Sequence, residues 1–211
     1  MLRITEIFYS LQGEARYTGI PTVFVRLTGC PMRCHYCDSA YAFHGGEKFS
    51  IDQIVEQTDQ YPARHVTVTG GEPLAQPECL PLLSRLCDQG YVVSLETGGA
   101  MDISGVDSRV HIVLDVKTPA SGEEVNNRYE NLPCIQKKDQ LKFVIVNEQD
   151  YIWARDFIKE RGLVEQTEVL FSPVANTLNP TDLAEWILRD GLAVRLQLQL
   201  HKHLWGDVPG V

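Results

Sequence analysis

The chain has 211 residues, 44% of them hydrophobic and 22% charged, the balance of one soluble globular domain of ordinary to slightly large size. Its formal net charge of −9 excludes a broad basic face for nucleic acid or an anionic membrane surface, although a local basic pocket is compatible with it. No apolar stretch approaches membrane-spanning length, and the start, Met1-Leu2-Arg3-Ile4-Thr5-Glu6, lacks the apolar region of a signal peptide, so a cytoplasmic location is expected.

The first strand-like run is Thr22–Thr28. Directly after it stands Gly29-Cys30-Pro31-Met32-Arg33-Cys34-His35-Tyr36-Cys37-Asp38, with the spacing C-x3-C-x2-C. Thiolates this close on one loop can converge on a single metal centre. A [4Fe–4S] cluster normally takes four cysteines, so three leave one iron open to a small molecule. A structural zinc site with His35 or His44 as fourth ligand, or a disulfide, are the blander readings of the same three residues.

Further along, Ser50 can cap a helix from Ile51, with Gln53 completing a capping box. The strand His65–Thr69 runs into Gly70-Gly71-Glu72-Pro73. A helix over Glu78–Gln89 stops at Gly90, and its apolar spacing places Cys79 and Cys87 in the core. The strand Tyr91–Glu96 is followed by Thr97-Gly98-Gly99, and the stretch from Gly98 to Arg109 is too polar and Gly-rich for a helix. The strand Val110–Val116 carries Asp115-Val116-Lys117 at its end. In the strand Gln140–Val146, Lys142 lies early and departs from the trend of polar residues at strand ends. A helix over Gln149–Arg161 stops at Gly162, and the strand Glu168–Phe171 leads to Ser172-Pro173. Asn179-Pro180 opens a helix to Asp190 with Gly191 after it, and a last strand, Val194–Leu200, leads to His201-Lys202. Alternating strands and helices predict an α/β fold with a mostly parallel sheet, in a single domain over residues 1–211. The unusual residues fall at strand C-termini, where α/β barrels and sheets bind ligands.

The three-cysteine spacing, with Gly70-Gly71-Glu72-Pro73 about thirty residues later, resembles the radical S-adenosylmethionine (radical SAM) superfamily. The resemblance implies a partial (β/α) barrel with the cluster and ligands at the strand C-terminal rim. It implies that Cys30, Cys34 and Cys37 hold a [4Fe–4S] cluster whose open iron chelates SAM, and that reduction splits SAM to a 5′-deoxyadenosyl radical. By the same resemblance, Gly71 and Glu72 meet the SAM amino group. Tyr36, Cys37, Asp38, Asp115, Val116, Lys117, Phe171, Ser172, Pro173 and Val174 line the rest of the SAM site. A surface ion pair is the bland reading of Asp115 and Lys117.

The segments Ile7-Phe8-Tyr9-Ser10-Leu11-Gln12-Gly13-Glu14 and Gly19–Leu27, with Gln199–Gly206 at the other end, resemble the 7-carboxy-7-deazaguanine synthases of queuosine and 7-deazapurine biosynthesis. That family rearranges 6-carboxy-5,6,7,8-tetrahydropterin to 7-carboxy-7-deazaguanine and releases ammonia. The resemblance assigns Leu11, Gln12, Gly13, Glu14, Arg26, Thr69, His201 and the carboxylate of Val211 to the substrate. The chemistry fits: Glu14 accepts from an aminopyrimidinone, Gln12 donates and accepts, and Arg26 can hold a carboxylate bidentately. A frayed tail is the alternative for Val211. Mg²⁺ is expected at Ser39, where relatives often carry Thr. A homodimer and an external one-electron donor such as flavodoxin are also expected, with no nucleic-acid or membrane partner. The nearest rival is a radical SAM activase of a glycyl-radical partner. A non-enzymatic zinc-binding interaction domain would leave Gly70–Pro73 and the polar strand ends unexplained.

Overall fold

The structure, a computed structural model, describes residues 1–206, 208 and 210. A hairpin comes first: β1 (Leu2–Leu11) runs antiparallel to β2 (Pro21–Leu27), and β3 (Glu47–Phe49) adds to the other edge of β1. Then follow α1 (Ile51–Thr58), β4 (His65–Gly70), α2 (Cys79–Asp88), β5 (Val92–Thr97), β6 (His111–Asp115) and β7 (Gln140–Ile145). Helices α3 (Glu148–Arg161) and α4 (Leu163–Gln166) lead to β8 (Glu168–Pro173), α5 (Pro180–Asp190) to β9 (Arg195–Leu196), and α6 (Leu200–Trp205) comes last. The strand order is β3-β1-β2-β4-β5-β6-β7-β8-β9, and each neighbouring pair from β2 to β9 is parallel.

Local chemistry sets the boundaries. The Ser50 side chain accepts from the Gln53 amide while the Gln53 side chain accepts from the Ser50 amide, the reciprocal capping box read from the sequence. Asn179 accepts from the Thr181 amide with Pro180 at the first helical position. Helices α3 and α5 end on Gly162 and Gly191, both left-handed, at φ 61° and 57°. Residues 98–110 contain no helix. There Asn131 donates to the carbonyls of Gly99 and Met101 at 3.1 and 2.8 Å and accepts from the Ile103 amide at 3.3 Å, so a side chain holds the crossover that a helix would otherwise make.

Two elements differ from expectation. Strand β1, ten residues long, is not among the predicted strands. Its register shifts between Ile4 and Glu6, so the buried alternation at Leu2 and Ile4 gives way to a half-buried run. The predicted last strand, Val194–Leu200, is paired only at Arg195–Leu196, and His201 and Lys202 sit on α6 rather than beyond a strand.

The inner strands have two unlike faces. In β7, Leu141, Phe143 and Ile145 pack against the helices, while Gln140, Lys142 and Val144 point the other way. Val66 and Val68 alternate in the same manner with Thr67 and Thr69 on β4. The helix-side core joins these apolar residues to Ile54 of α1, Leu82, Leu83 and Leu86 of α2, Tyr151 and Ile158 of α3, and Leu183 of α5. Cys79 is fully buried there and Cys87 packs against it. The sheet curls around its polar face. Five strand steps separate β1 from β7, about 24 Å in a flat sheet. Yet Glu14, just past β1, meets Lys142 of β7 at 2.9 Å. The segment after β9 spans the remaining gap, with the Leu200 amide donating to the Gly13 carbonyl at 3.0 Å. Among the described residues no helix is long and apolar enough to cross a membrane.

Candidate active site

The concave face encloses a cavity of about 750 Å³, with a wall of cysteines at one end and a cluster of charged side chains deeper in the curl. The cysteine loop leaves β2 at Leu27 and is fixed by its backbone. The Gly29 amide donates to the Ala42 carbonyl at 2.8 Å, the Glu72 amide to the Gly29 carbonyl at 2.8 Å, and the His35 amide to the Ser121 carbonyl at 3.0 Å. Gly71 has no room for a side chain, because a Cβ there would lie 2.0 Å from the Gly29 carbonyl oxygen. The loop and the Gly70–Pro73 turn therefore close on one another through backbone alone.

Cys30, Cys34 and Cys37 all line this cavity and none is in a disulfide. Burial raises all three thiols above the usual range. Among the described residues no three His, Cys, Asp or Glu side chains are grouped around one point that a lone metal ion would fill. A cubane cluster takes one thiolate per iron and so asks for cysteines around one cavity, which these three line. Two buried polar atoms beside that wall lack hydrogen-bond partners among the described residues: the Tyr36 hydroxyl and Asp115 Oδ1. The other Asp115 oxygen meets Lys117 Nζ at 3.0 Å. Burial alone would lower the Lys117 ammonium, but Asp115 raises it above its usual range. Unsatisfied acceptors and a charged lysine beside three thiols suit a ligand carrying an ammonium, a carboxylate and hydroxyls, and the residues present fit a cluster with bound SAM.

Glu72 is elsewhere. It is fully buried behind the cavity wall, accepting from the Thr97 hydroxyl at 2.8 Å, the Gly98 amide at 2.7 Å and the Leu74 amide at 3.0 Å. Val116 and Phe171 also turn their side chains into the helix-side core, whereas Asp115, Lys117, Ser172, Pro173 and Val174 reach the cavity. Tyr36, Asp38, Ser39 and Gly71 line it as well. The Ser39 hydroxyl donates to Asp38 Oδ1 at 2.9 Å, and Gln199 Nε2 donates to Asp38 Oδ2 at 3.0 Å. Although burial pushes Asp38 up, these bonds and Lys202 hold it down at about 2.

Leu11, Gln12, Gly13, Glu14, Arg26, Thr69 and His201 come together at the other end. Glu14 Oε2 accepts from Lys142, and Oε1 accepts from Gln199 at 2.8 Å. Burial would raise Glu14, but Lys142 overrides it and the carboxyl lies below its usual range. Glu96 accepts from Gln12 and from Thr69, each at 3.2 Å, and is raised by burial and by the charge of Glu14. Arg26 donates through Nε to Glu6 at 2.7 Å and through one terminal nitrogen to the Gly70 carbonyl at 3.4 Å, and Tyr41 donates to the same Glu6 oxygen at 2.8 Å; the guanidinium lines the cavity. The His201 ring lies over Gly13, where a Cβ would be 2.0 Å from Nδ1. Val208 and Gly210 sit on the cavity lining, and Val211 lies outside the described residues.

Glu96, Lys142 and Gln199 line the cavity and Glu6 pairs with Arg26, and the sequence reading gave none of them a site role, although it marked Lys142 as out of trend in its strand. The available signal was alternation: Glu96 and Lys142 occupy the face opposite the buried Leu95, Leu141 and Phe143 in their strands.

A model of the Radical SAM superfamily matches residues 24–116. The chain is 45% identical to a 7-carboxy-7-deazaguanine synthase of Chlorobaculum tepidum, over 100% of this chain and 97% of that protein. It is also 45% identical to one of Koribacter versatilis, over 97% of each. Among solved structures, the crystal structure of QueE from Escherichia coli superposes with a TM-score of 0.77 at 24% identity, covering 95% of this chain and 94% of that one. With full-length likeness of this degree, and with the cysteine wall and charged cluster facing one cavity, the chain belongs to the 7-carboxy-7-deazaguanine synthase family of the radical SAM superfamily.

Proposed function

We propose that this chain converts 6-carboxy-5,6,7,8-tetrahydropterin to 7-carboxy-7-deazaguanine with loss of ammonia, as a radical SAM lyase of queuosine and 7-deazapurine biosynthesis. The observation that carries the reading is the single cavity of about 750 Å³ shared by the three cysteines and the Gln12–Glu14–Arg26 group, roomy enough for two small ligands side by side. When bound, the cluster and SAM supply a 5′-deoxyadenosyl radical that takes a hydrogen from the substrate.

The chain's own residues bind and orient. Cys30, Cys34 and Cys37 hold the cluster. The backbone at Gly71 approaches the amino end of SAM, and Asp115 and Lys117 meet its polar groups, with Tyr36, Ser172 and Val174 around them. Glu14 and Gln12 meet the donors and acceptors of the aminopyrimidinone, Thr69 adds a hydroxyl, and Arg26 takes the substrate carboxylate. Glu72, Val116 and Phe171 act from behind the wall by fixing the strand ends. Mg²⁺ would sit at Ser39, whose hydroxyl proton already goes to Asp38 so that its lone pairs stay available. Closure by the Val211 carboxylate is supported by Val208 and Gly210 at the cavity. We read residues 1–211 as one domain, supported by the single nine-stranded sheet. A homodimer is supported by the exposed Leu198, Leu204 and Trp205, and flavodoxin is the electron donor we would try first.

The test is anaerobic. The cluster is reconstituted and reduced, SAM, Mg²⁺ and the carboxypterin are added, and product is sought by mass. Formation of 7-carboxy-7-deazaguanine that vanishes in Cys34→Ala is expected. Cleavage of SAM without that product would retain the radical chemistry and discard the substrate.

A further inference from the structure

The least explained group in the cavity is Lys142. It stands mid-strand in β7, well inside the curl, and both carboxylates it meets are largely buried. Its Nζ lies 2.9 Å from Glu14 Oε2 and 3.7 Å from Asp115 Oδ2. Stability does not call for it: the neighbours Leu141 and Phe143 carry the packing of the strand, and a buried ion pair returns about as much as its desolvation costs. What the ammonium does is local. Two carboxylates, Glu14 and Glu96, approach one pocket, and like charges in a low-dielectric site do not both ionise readily. The charged and titratable groups around Glu14 in the cavity are Lys142 from β7, Asp115 from β6, Glu96 from β5, Arg26 from β2, Asp38 from the cysteine loop, and His201 and Lys202 from α6. Among the described residues Lys142 is the cation paired with Glu14, while Arg26 is paired with Glu6 and Lys202 lies 3.7 Å from Asp38. Gln197 and Gln199 donate to the same carboxylate at 3.3 and 2.8 Å and fix its plane.

We propose that Lys142 is a positioning residue for substrate recognition: its ammonium, 2.9 Å from Glu14, holds that carboxylate in place as the charged acceptor for the substrate's amine and amide hydrogens. The arrangement gives the N–H groups of an aminopyrimidinone edge a fixed, charged carboxylate to meet. Through Asp115 the same ammonium ties this end of the cavity to the wall beside the cysteines. The inference rests on the substrate proposed above.

The test compares the reconstituted holoenzyme with Lys142→Met, which keeps the length of the side chain and removes the charge. Without the ammonium, burial raises Glu14, so a smaller fraction is ionised at any given pH. KM for the carboxypterin should rise at least tenfold near neutral pH, with kcat changed less, and the acid limb of kcat/KM should move to higher pH so that the defect shrinks as pH rises. Lys142→Arg should restore the profile. Reductive cleavage of SAM by Lys142→Met, measured as 5′-deoxyadenosine, should persist. In the double variant Glu14→Gln, Lys142→Met, which removes both charges together, the acid limb should disappear. An unchanged KM and pH profile in Lys142→Met, or an acid limb that survives in the double variant, overturns the proposal alone. Absence of product from the unsubstituted enzyme overturns the substrate reading and this proposal with it.

Discussion

At Ser39 the proposed Mg²⁺ contact rests on one oxygen atom. The hydroxyl donates to Asp38, which is ionised at any physiological pH, so the hydroxyl's own lone pairs are not used in that bond. Loss of that oxygen in Ser39→Ala should remove Mg²⁺-stimulated turnover while SAM cleavage continues, and equal stimulation of both variants would show that Ser39 is not the ligand. Single residues also show where the sequence was legible. The cysteine triad, Gln12, Glu14 and Arg26 could be found because their spacing or their neighbours resemble a family. Lys142 was noticed only as out of trend and Glu96 only as a strand end, because each sits in a strand whose other face is apolar, and a run rich in Val, Leu and Phe gives the polar alternate no role. Arg26 is mixed: it reaches the cavity, yet it is also half of an ion pair with Glu6, on a strand that the sequence did not disclose.

At the scale of elements, the ends of β4 and β5 are joined by a side chain rather than by the sheet. The β4–β5 pairing ends at Val68 and Leu95, and beyond it Glu72 accepts from Thr97, Gly98 and Leu74. Burial pushes this carboxyl up and the same hydrogen bonds pull it back, so Glu72 is a costly group held in place by three donors. Truncation in Glu72→Ala would leave those donors buried and unpaired at about 1 kcal/mol each, roughly 3 kcal/mol in total. For a chain of this length that lowers the melting temperature by roughly 6–12 °C. A thermal melt checks it, and a shift under about 2 °C would mean the strand ends are held by other means. Helices were legible because caps are local: Ser50, Gly162, Asn179 and Gly191 mark them within a residue or so. Strand β1 was not, because a bulge blurs its alternation, and β9 was read too long, because only two of its residues pair before the chain turns to α6.

At the scale of the molecule, the two faces of the curled sheet do separate work. The apolar face and the helices supply the stability, and the concave face holds the charges and the thiols. The cysteine loop belongs to the second group, but its backbone is tied to the first by the bonds to Ala42, Ser121 and Glu72 and by Arg33, whose amide donates to Glu123 at 2.6 Å and whose guanidinium lies 4.4 Å over the Phe43 ring. Small metal-dependent domains unfold when the metal is taken away, because they have no other core. Here the core lies across the sheet from the thiols and does not include them. Chelation of the iron under air-free conditions should therefore abolish turnover and SAM cleavage while leaving the far-UV circular dichroism unchanged. The melting temperature should fall only by the linkage term for a ligand bound to the native state, a few kcal/mol at most and so about 5–10 °C. Loss of helical signal on chelation would mean that the cluster, rather than the backbone ties of its loop, holds β2 and the Gly70–Pro73 turn together.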